Sequence, residues 1–199
     1  MPSGANVLSA RGAAEAKVQR LLAEGKVAEV LKARGWSTAA AIGAFPLIAK
    51  FGTGQGFDLY DDEFVPEEAT VTVSEWAGHE VPKSFDRRGD HVTRRALEWL
   101  REQRAPARPF FLFVHYFDPH LSYDAPEPFA TRFEAKLPPA AGELDRVIAR
   151  YDGEIAFADQ AVGDLLRGLE ALGLADTTLV VVSGDHGEGL MQHGILGHG

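Results

Sequence analysis

Apolar residues recur at helical spacing at Ala14, Val18, Leu21 and Leu22, and the pattern resumes after Gly25 with Val27, Val30 and Leu31. Gly35 is the expected stop for this helix. Ser37 to Ile42 is small and apolar, short enough for a buried strand. Gly52 to Glu68 reads as a loop, because Gly52, Gly54 and Gly56 lead into Asp58, Asp61, Asp62, Glu63, Glu67 and Glu68 without an intervening base. That acidic run lacks the spacing of a calcium-binding EF-hand and is expected to be a solvated face. Thr70 to Ser74 alternates weakly, as a short strand would. Asp90 is placed to cap a helix through Ala96, Leu97, Trp99 and Leu100, which Pro106 and Pro109 end.

The second half is more sharply patterned. Phe110 to Phe117 is dense in aromatic and branched residues and predicts a fully buried strand. Asp118 to Pro139 is a long polar, proline-rich loop. Ile148, Tyr151, Ile155, Ala158, Val162, Leu165, Leu166, Leu169 and Leu172 mark the strongest helix, stopped by Gly173. Thr177 to Ser183 predicts a strand centred on Val180, Val181 and Val182, followed by a Gly- and His-rich loop to Gly199. Repeated helix–strand order implies an α/β fold, a mainly parallel sheet with helices on both faces. Ligands in such sheets bind beyond the carboxyl ends of the strands, here just after Tyr116 and just after Val182.

Composition narrows the function. The chain has 199 residues, 45% hydrophobic and 25% charged, which is enough apolar surface for a core. No apolar run approaches the roughly 20 residues of a transmembrane helix. Met1 to Val7 lacks the basic-then-apolar pattern of a signal peptide. The compartment stays open. A net charge of −9 disfavours nucleic-acid partners. Cysteine is absent, which excludes disulfides, thiolate metal ligands and a Cys nucleophile within the chain. Gly52-Thr53-Gly54-Gln55-Gly56 is not a dinucleotide fingerprint, and there is no Walker A, HExxH or GxSxG sequence.

Chemistry-bearing residues gather at the two strand ends. His115-Tyr116-Phe117-Asp118-Pro119-His120 follows the first, and Ser183-Gly184-Asp185-His186-Gly187-Glu188, with His193 and His198, follows the second. Five of the seven histidines lie there. A carboxylate beside an imidazole suits a divalent metal, although Asp185 could equally cap a turn. His115, inside an apolar strand, reads as a core histidine, and Asp159 as a paired structural carboxylate.

Taken together, Tyr151-Asp152-Gly153-Glu154-Ile155 and Val180-Val181-Val182-Ser183-Gly184-Asp185-His186-Gly187-Glu188 resemble the C-terminal hallmark of the sulfatase family, in the alkaline phosphatase superfamily. Pro109 to Val114 followed by Asp118-Pro119-His120 resembles its substrate-histidine segment. Arg34-Gly35-Trp36-Ser37-Thr38-Ala39-Ala40, then Phe51-Gly52 and Gln55-Gly56-Phe57-Asp58, is similar to bacterial members. The resemblance implies an alkaline phosphatase-like fold and hydrolysis of small-molecule or glycan sulfate esters. Relatives that cleave phosphate or phosphonate esters supply the alternative.

By the same resemblance Asp185 and His186 are metal ligands, His120 bonds the ester group, and His198 neutralises the transferring group, with His193 a weaker candidate. Many sulfatases carry Asp-Asn and calcium at the metal pair. The imidazole of His186 fits manganese or zinc better than calcium, so the expected divalent cation is calcium or, given that ligand, manganese or zinc. The family nucleophile and its early paired aspartates have no counterpart here. Met1-Pro2-Ser3 with Asn6-Val7-Leu8-Ser9 faintly resembles the tail of the nucleophile segment, which places the nucleophile just before Met1. The expectation is therefore a partial catalytic domain over residues 1–199, lacking the nucleophile segment and the C-terminal subdomain and inactive by itself. A non-catalytic metal- or anion-binding module that has lost its nucleophile is the contrasting reading.

Overall fold

The computed structural model describes residues 26–63, 73–76, 79–82, 86–194 and 197. The expected helix around residues 14–22 and the segment Met1 to Ser9 lie outside the described residues. The chain forms two compact units. One runs to Arg87 and includes Glu98–His115, and the other comprises Arg88–Leu97 with Tyr116 onward.

In the first unit, helix α1 (Lys26–Ala33) ends where the glycine signal placed it. Gly35 takes a left-handed φ of +85°. Its N–H donates to the Lys32 carbonyl at 2.9 Å and the Trp36 N–H to Leu31 at 3.1 Å, which satisfies the helix's last acceptors. Strand β1 (Ser37–Ile42) is buried at all six positions. It lies between β2 (Leu59–Asp61) and β5 (Phe110–His115), and both pairings are parallel. A central parallel strand is covered on both faces, which is why an unalternating run of small residues suits it. β5 is only half-buried and two residues shorter than expected, because within the described ladder it is an edge. β3 (Val73–Trp76) and β4 (His79–Pro82) pair antiparallel, and of the strand expected at 70–74 residues 70–72 lie outside the described residues.

The acidic run is not uniformly solvated. Asp61 is 5% exposed at the end of β2, where its carboxylate accepts a 2.9 Å bond from Arg87. Arg87 also donates to the carbonyls of Ile42 at 2.7 Å and Asp61 at 2.8 Å. Asp58 accepts from the Thr38 N–H at 3.1 Å and pairs with Lys32 at 2.9 Å. Burial alone would raise the Asp58 pKa, but the bonds from Lys32 and Thr38 outweigh it and hold the group below its usual value.

Helix α2 (Gly89–Glu98) starts two residues before the point that a cap at Asp90 would set. The Arg88 carbonyl accepts the first amides, from His91 and Val92, while Asp90 sits inside the first turn and pairs with Arg88 at 2.7 Å. Trp99–Gln103 continues it as a wider π-type turn before Pro106.

In the second unit a short helix α3 (Phe129–Arg132) precedes α4 (Glu143–Ala171), whose 29 residues contain the predicted stripe. Gly173, at φ +66°, ends α4 with the same bonding as Gly35, its N–H to Glu170 and the Leu174 N–H to Leu169, both at 2.9 Å. A Cβ on Gly153 would stand 2.7 Å from the Phe129 carbonyl oxygen, and one on Gly168 would collide with Leu97. Those two glycines let α4 pack closely against α3 and α2. Phe129 and Phe157 meet at 5.6 Å in the small core between α3 and α4. Asp159 is exposed on α4, not buried among the apolar residues.

The strand expected at 177–183 is not formed. Ala175–Thr177 is a single 3-10 turn, and the residues after it join no ladder among the described residues. Leu179 is 89% and Val181 80% exposed. The apolar run has strand composition, but a strand persists only where neighbouring backbone takes up its N–H and C=O groups.

Candidate functional site

The site is built on the turn after β5. Tyr116 bonds Thr93 at 2.7 Å, and Thr93 in turn donates to the Ala161 carbonyl of α4 at 2.9 Å. Burial pushes the Tyr116 phenol up to about 12, aided by the negative charge of Asp118, so it acts as a neutral anchor. His120 stacks on Phe117 with ring centroids 4.0 Å apart. Its Nδ1 lies 2.7 Å from the Leu121 carbonyl oxygen, which can only accept, so Nδ1 carries a proton and donates it there.

The turn is held from two sides. Glu154 of α4 is 3% exposed and accepts the Asp124 N–H at 2.8 Å. Burial, reinforced by the Asp118 charge, raises Glu154 to about 8. From the other side, the Tyr123 hydroxyl donates to Glu188 at 3.0 Å, with the Tyr151 ring 5.3 Å from that of Tyr123. Burial and then the Glu188 bond push the Tyr123 phenol up to about 12.

Asp185 and His186 are adjacent and about half exposed, with Nε2 and Oδ2 3.9 Å apart. The His186 N–H donates to Asp185 Oδ1 at 2.9 Å, the bond that the turn reading of Asp185 anticipates. Open space surrounds Gly184 and Gly187. Among the described residues no group of three or more His, Asp or Glu side chains is arranged to hold a metal. One oxygen and one nitrogen fit a divalent ion as two donors of a larger set. His198 lies outside the described residues, and His193 is exposed. His115 is half-buried in β5. The structure thus joins the His120 turn to the Asp185–His186 segment through Tyr123 and Glu188, while His198 has no described place.

Glu154 and Tyr123 were missed as individual residues. Glu154 lies inside the quoted Tyr151–Ile155 motif, and a charged residue on the buried face of an apolar helix was the available signal.

The multifunctional alkaline phosphatase superfamily protein PehA of Trinickia caryophylli is 26% identical over 187 residues, covering 71% of this chain and 36% of that protein. Iduronate 2-sulfatase of Homo sapiens is 26% identical over 142 residues, covering 51% and 26%. The chain therefore spans well under half the length of these curated relatives. A solved structure from work on the metabolism of multiple glycosaminoglycans by Bacteroides thetaiotaomicron shares the fold. Its TM-score is 0.51 at 18% identity, over 82% of this chain and 42% of that one. The family model described as Sulfatase matches residues 1–199. With that match running from end to end, the chain belongs to the sulfatase family.

Proposed function

We propose that this chain supplies part of the active site of a sulfate-ester hydrolase that works with a divalent cation. The observation that carries the reading is the 3.0 Å Tyr123–Glu188 bond, which ties the turn bearing His120 to the segment bearing Asp185 and His186. Two sets of polar residues far apart in sequence are thereby linked.

Asp185 and His186 would hold the cation, manganese or zinc in preference to calcium because of the imidazole. When bound, it polarises one oxygen of the ester group. In its imidazolium form, with Nδ1–H held by the Leu121 carbonyl and the ring stacked on Phe117, His120 would bond a second oxygen through Nε2–H or pass that proton to the leaving alkoxide. His198 is assigned by resemblance to neutralising the transferring group. The substrate class is a sulfate ester on a small molecule or a glycan, consistent with iduronate 2-sulfatase among the relatives. Phosphate or phosphonate esters are the second reading, favoured by the match to PehA, which carries the superfamily's name rather than a sulfatase's.

The test uses the protein made from the intact gene, assayed on aryl sulfate and aryl phosphate esters with calcium, manganese and zinc. Sulfate turnover that falls about 10²-fold or more in His120→Ala supports the proposal. Turnover of phosphate esters alone moves the assignment to the second reading. Inactivity on both classes with every metal overturns it.

A further inference from the structure

We propose that Arg132, Lys136 and Arg146 form a docking site for a sulfated polysaccharide, binding sulfates other than the one being cleaved. The inference rests on the reading of the substrate as a glycan sulfate ester. Arg132 ends α3, and Lys136 ends the single 3-10 turn Glu134–Lys136. Both cations lean on one ring. Arg132 Cζ lies 5.5 Å and Lys136 Nζ 5.1 Å from the centre of Phe133. An aromatic face attracts a cation without neutralising it, so the ring gathers two like charges and leaves both able to take an anion. Arg146 joins them through α4. Arg150, one turn further on and on the same face, reaches Glu134 of the 3-10 turn at 3.4 Å.

The acids of this stretch are engaged elsewhere. Glu127 accepts the Thr131 hydroxyl at 2.7 Å, and Asp145 the Gly142 N–H at 2.8 Å. Glu134 and Glu143 both pair with Arg150, at 3.4 and 3.2 Å. Among the described residues Arg132, Lys136 and Arg146 pair with no carboxylate, and all three are exposed. In a chain of net charge −9, three cations without a counterion in one place run against the prevailing sign. A polyanion suits them better than a single small anion, because each exposed contact is weak and several must act together. The patch also lies beside the proposed site. Tyr151, the residue after Arg150, meets Tyr123, whose hydroxyl holds Glu188. From Arg146 to Tyr151 the helix rises about 7.5 Å. A polysaccharide bound by one sulfate ester carries further sulfates along its length, and these suit cations placed next to the site.

The test is binding of fluorescently labelled dextran sulfate to the protein made from the intact gene, followed by anisotropy between about 50 and 200 mM salt. Uncharged dextran and single-stranded DNA are the comparison polymers. The wild type is expected to bind dextran sulfate, to ignore dextran, and to bind DNA more weakly. Arg132→Ala with Lys136→Ala should weaken the binding roughly tenfold and lower the slope of log affinity against log salt by about 1.5, the share of two charge contacts. Arg34→Ala with Arg101→Ala removes the same charge from exposed positions in the other unit and should change neither. Lys136→Arg keeps the charge and should bind as the wild type does. No binding of dextran sulfate by the wild type, equal losses in the two double variants, or DNA bound as tightly as dextran sulfate overturns the proposal. Should the double variant not fold, Arg146→Ala decides, since undiminished binding in it overturns the proposal. Turnover of an aryl sulfate, which carries no second anion, should be the same in all variants, so loss of the docking site and failure of the sulfate-ester reading are separate results.

Discussion

Arg87 and Asp61 form a 2.9 Å ion pair whose side chains are only 6% and 4% exposed, with the guanidinium also bound to the carbonyls of Ile42 and Asp61. The pair joins the carboxyl ends of β1 and β2, the end of a parallel sheet where backbone acceptors leave the ladder. Removing one partner strands the other charge inside. Arg87→Ala or Asp61→Ala is expected to cost about 3–5 kcal/mol, measured by urea unfolding. The joint replacement Arg87→Met with Asp61→Leu should cost clearly less than either. Equal losses for single and double replacements would mean the ion pair is not the source.

The helix contacts at glycine give a second expectation. Gly153→Ala places a methyl against the rigid Phe129 carbonyl, and Gly168→Ala drives one into Leu97. Overpacking of this kind costs about 1–3 kcal/mol, read as a fall in denaturant midpoint. Gly168→Ala should be partly rescued by Leu97→Ala, because its obstacle is a side chain. Gly153→Ala has no such rescue.

Glu154 makes stability depend on pH. Its carboxyl is raised to about 8 in the fold, chiefly by burial and then by Asp118, against an ordinary value of 4.5. Between those values the folded chain holds a proton that the unfolded chain has released, so raising the pH favours unfolding. The stabilisation is complete below about pH 4.5, declines as pH rises to about 8, and is flat above that. Melting temperatures of the wild type should slope downward across this window relative to Glu154→Gln. Parallel curves would contradict the assignment.

Tyr123→Phe removes one part-buried hydrogen bond to a carboxylate, and the expected stability loss is about 1.5–3 kcal/mol. Its larger effect is local. Amide exchange across 184–189 should quicken while exchange within α4 stays unchanged. Glu188→Gln should bring the Tyr123 phenol down from about 12, since that carboxylate is the second cause of its rise after burial. Ultraviolet titration of the tyrosines measures it.

Asp185 and His186 are half exposed, so Asp185→Ala and His186→Ala should leave stability within about 0.5 kcal/mol. Calorimetric titration with manganese or zinc should nonetheless weaken in both. His186→Asn should shift preference toward calcium, an oxygen-seeking ion. Unchanged titrations in all three variants would remove these residues from the metal assignment.

Local pattern made part of this fold legible. The glycines at 35 and 173 end helices as their neighbours foretold, because a left-handed residue beside free carbonyls is a local matter. β1 and α4 follow from runs of small and of periodic apolar residues. Asp61 escaped notice because its counterion stands 26 residues away, and an acidic loop and a buried acidic strand end look alike in one dimension. Thr177 to Ser183 shows the opposite error. Its composition is that of a strand, yet strand formation depends on a neighbour that the segment itself does not encode. At the site, Asp-His-Gly and Asp-Pro-His were visible as motifs, whereas the clamp from Glu154 required the helix to be placed against the turn.

The uncovered run Leu179 to Val182 has a practical consequence. Four exposed apolar side chains in a segment that joins no ladder among the described residues are adhesive toward other molecules in the same condition. Material of this chain should scatter more light as its concentration climbs, and a charge introduced at Val181 should keep it clear.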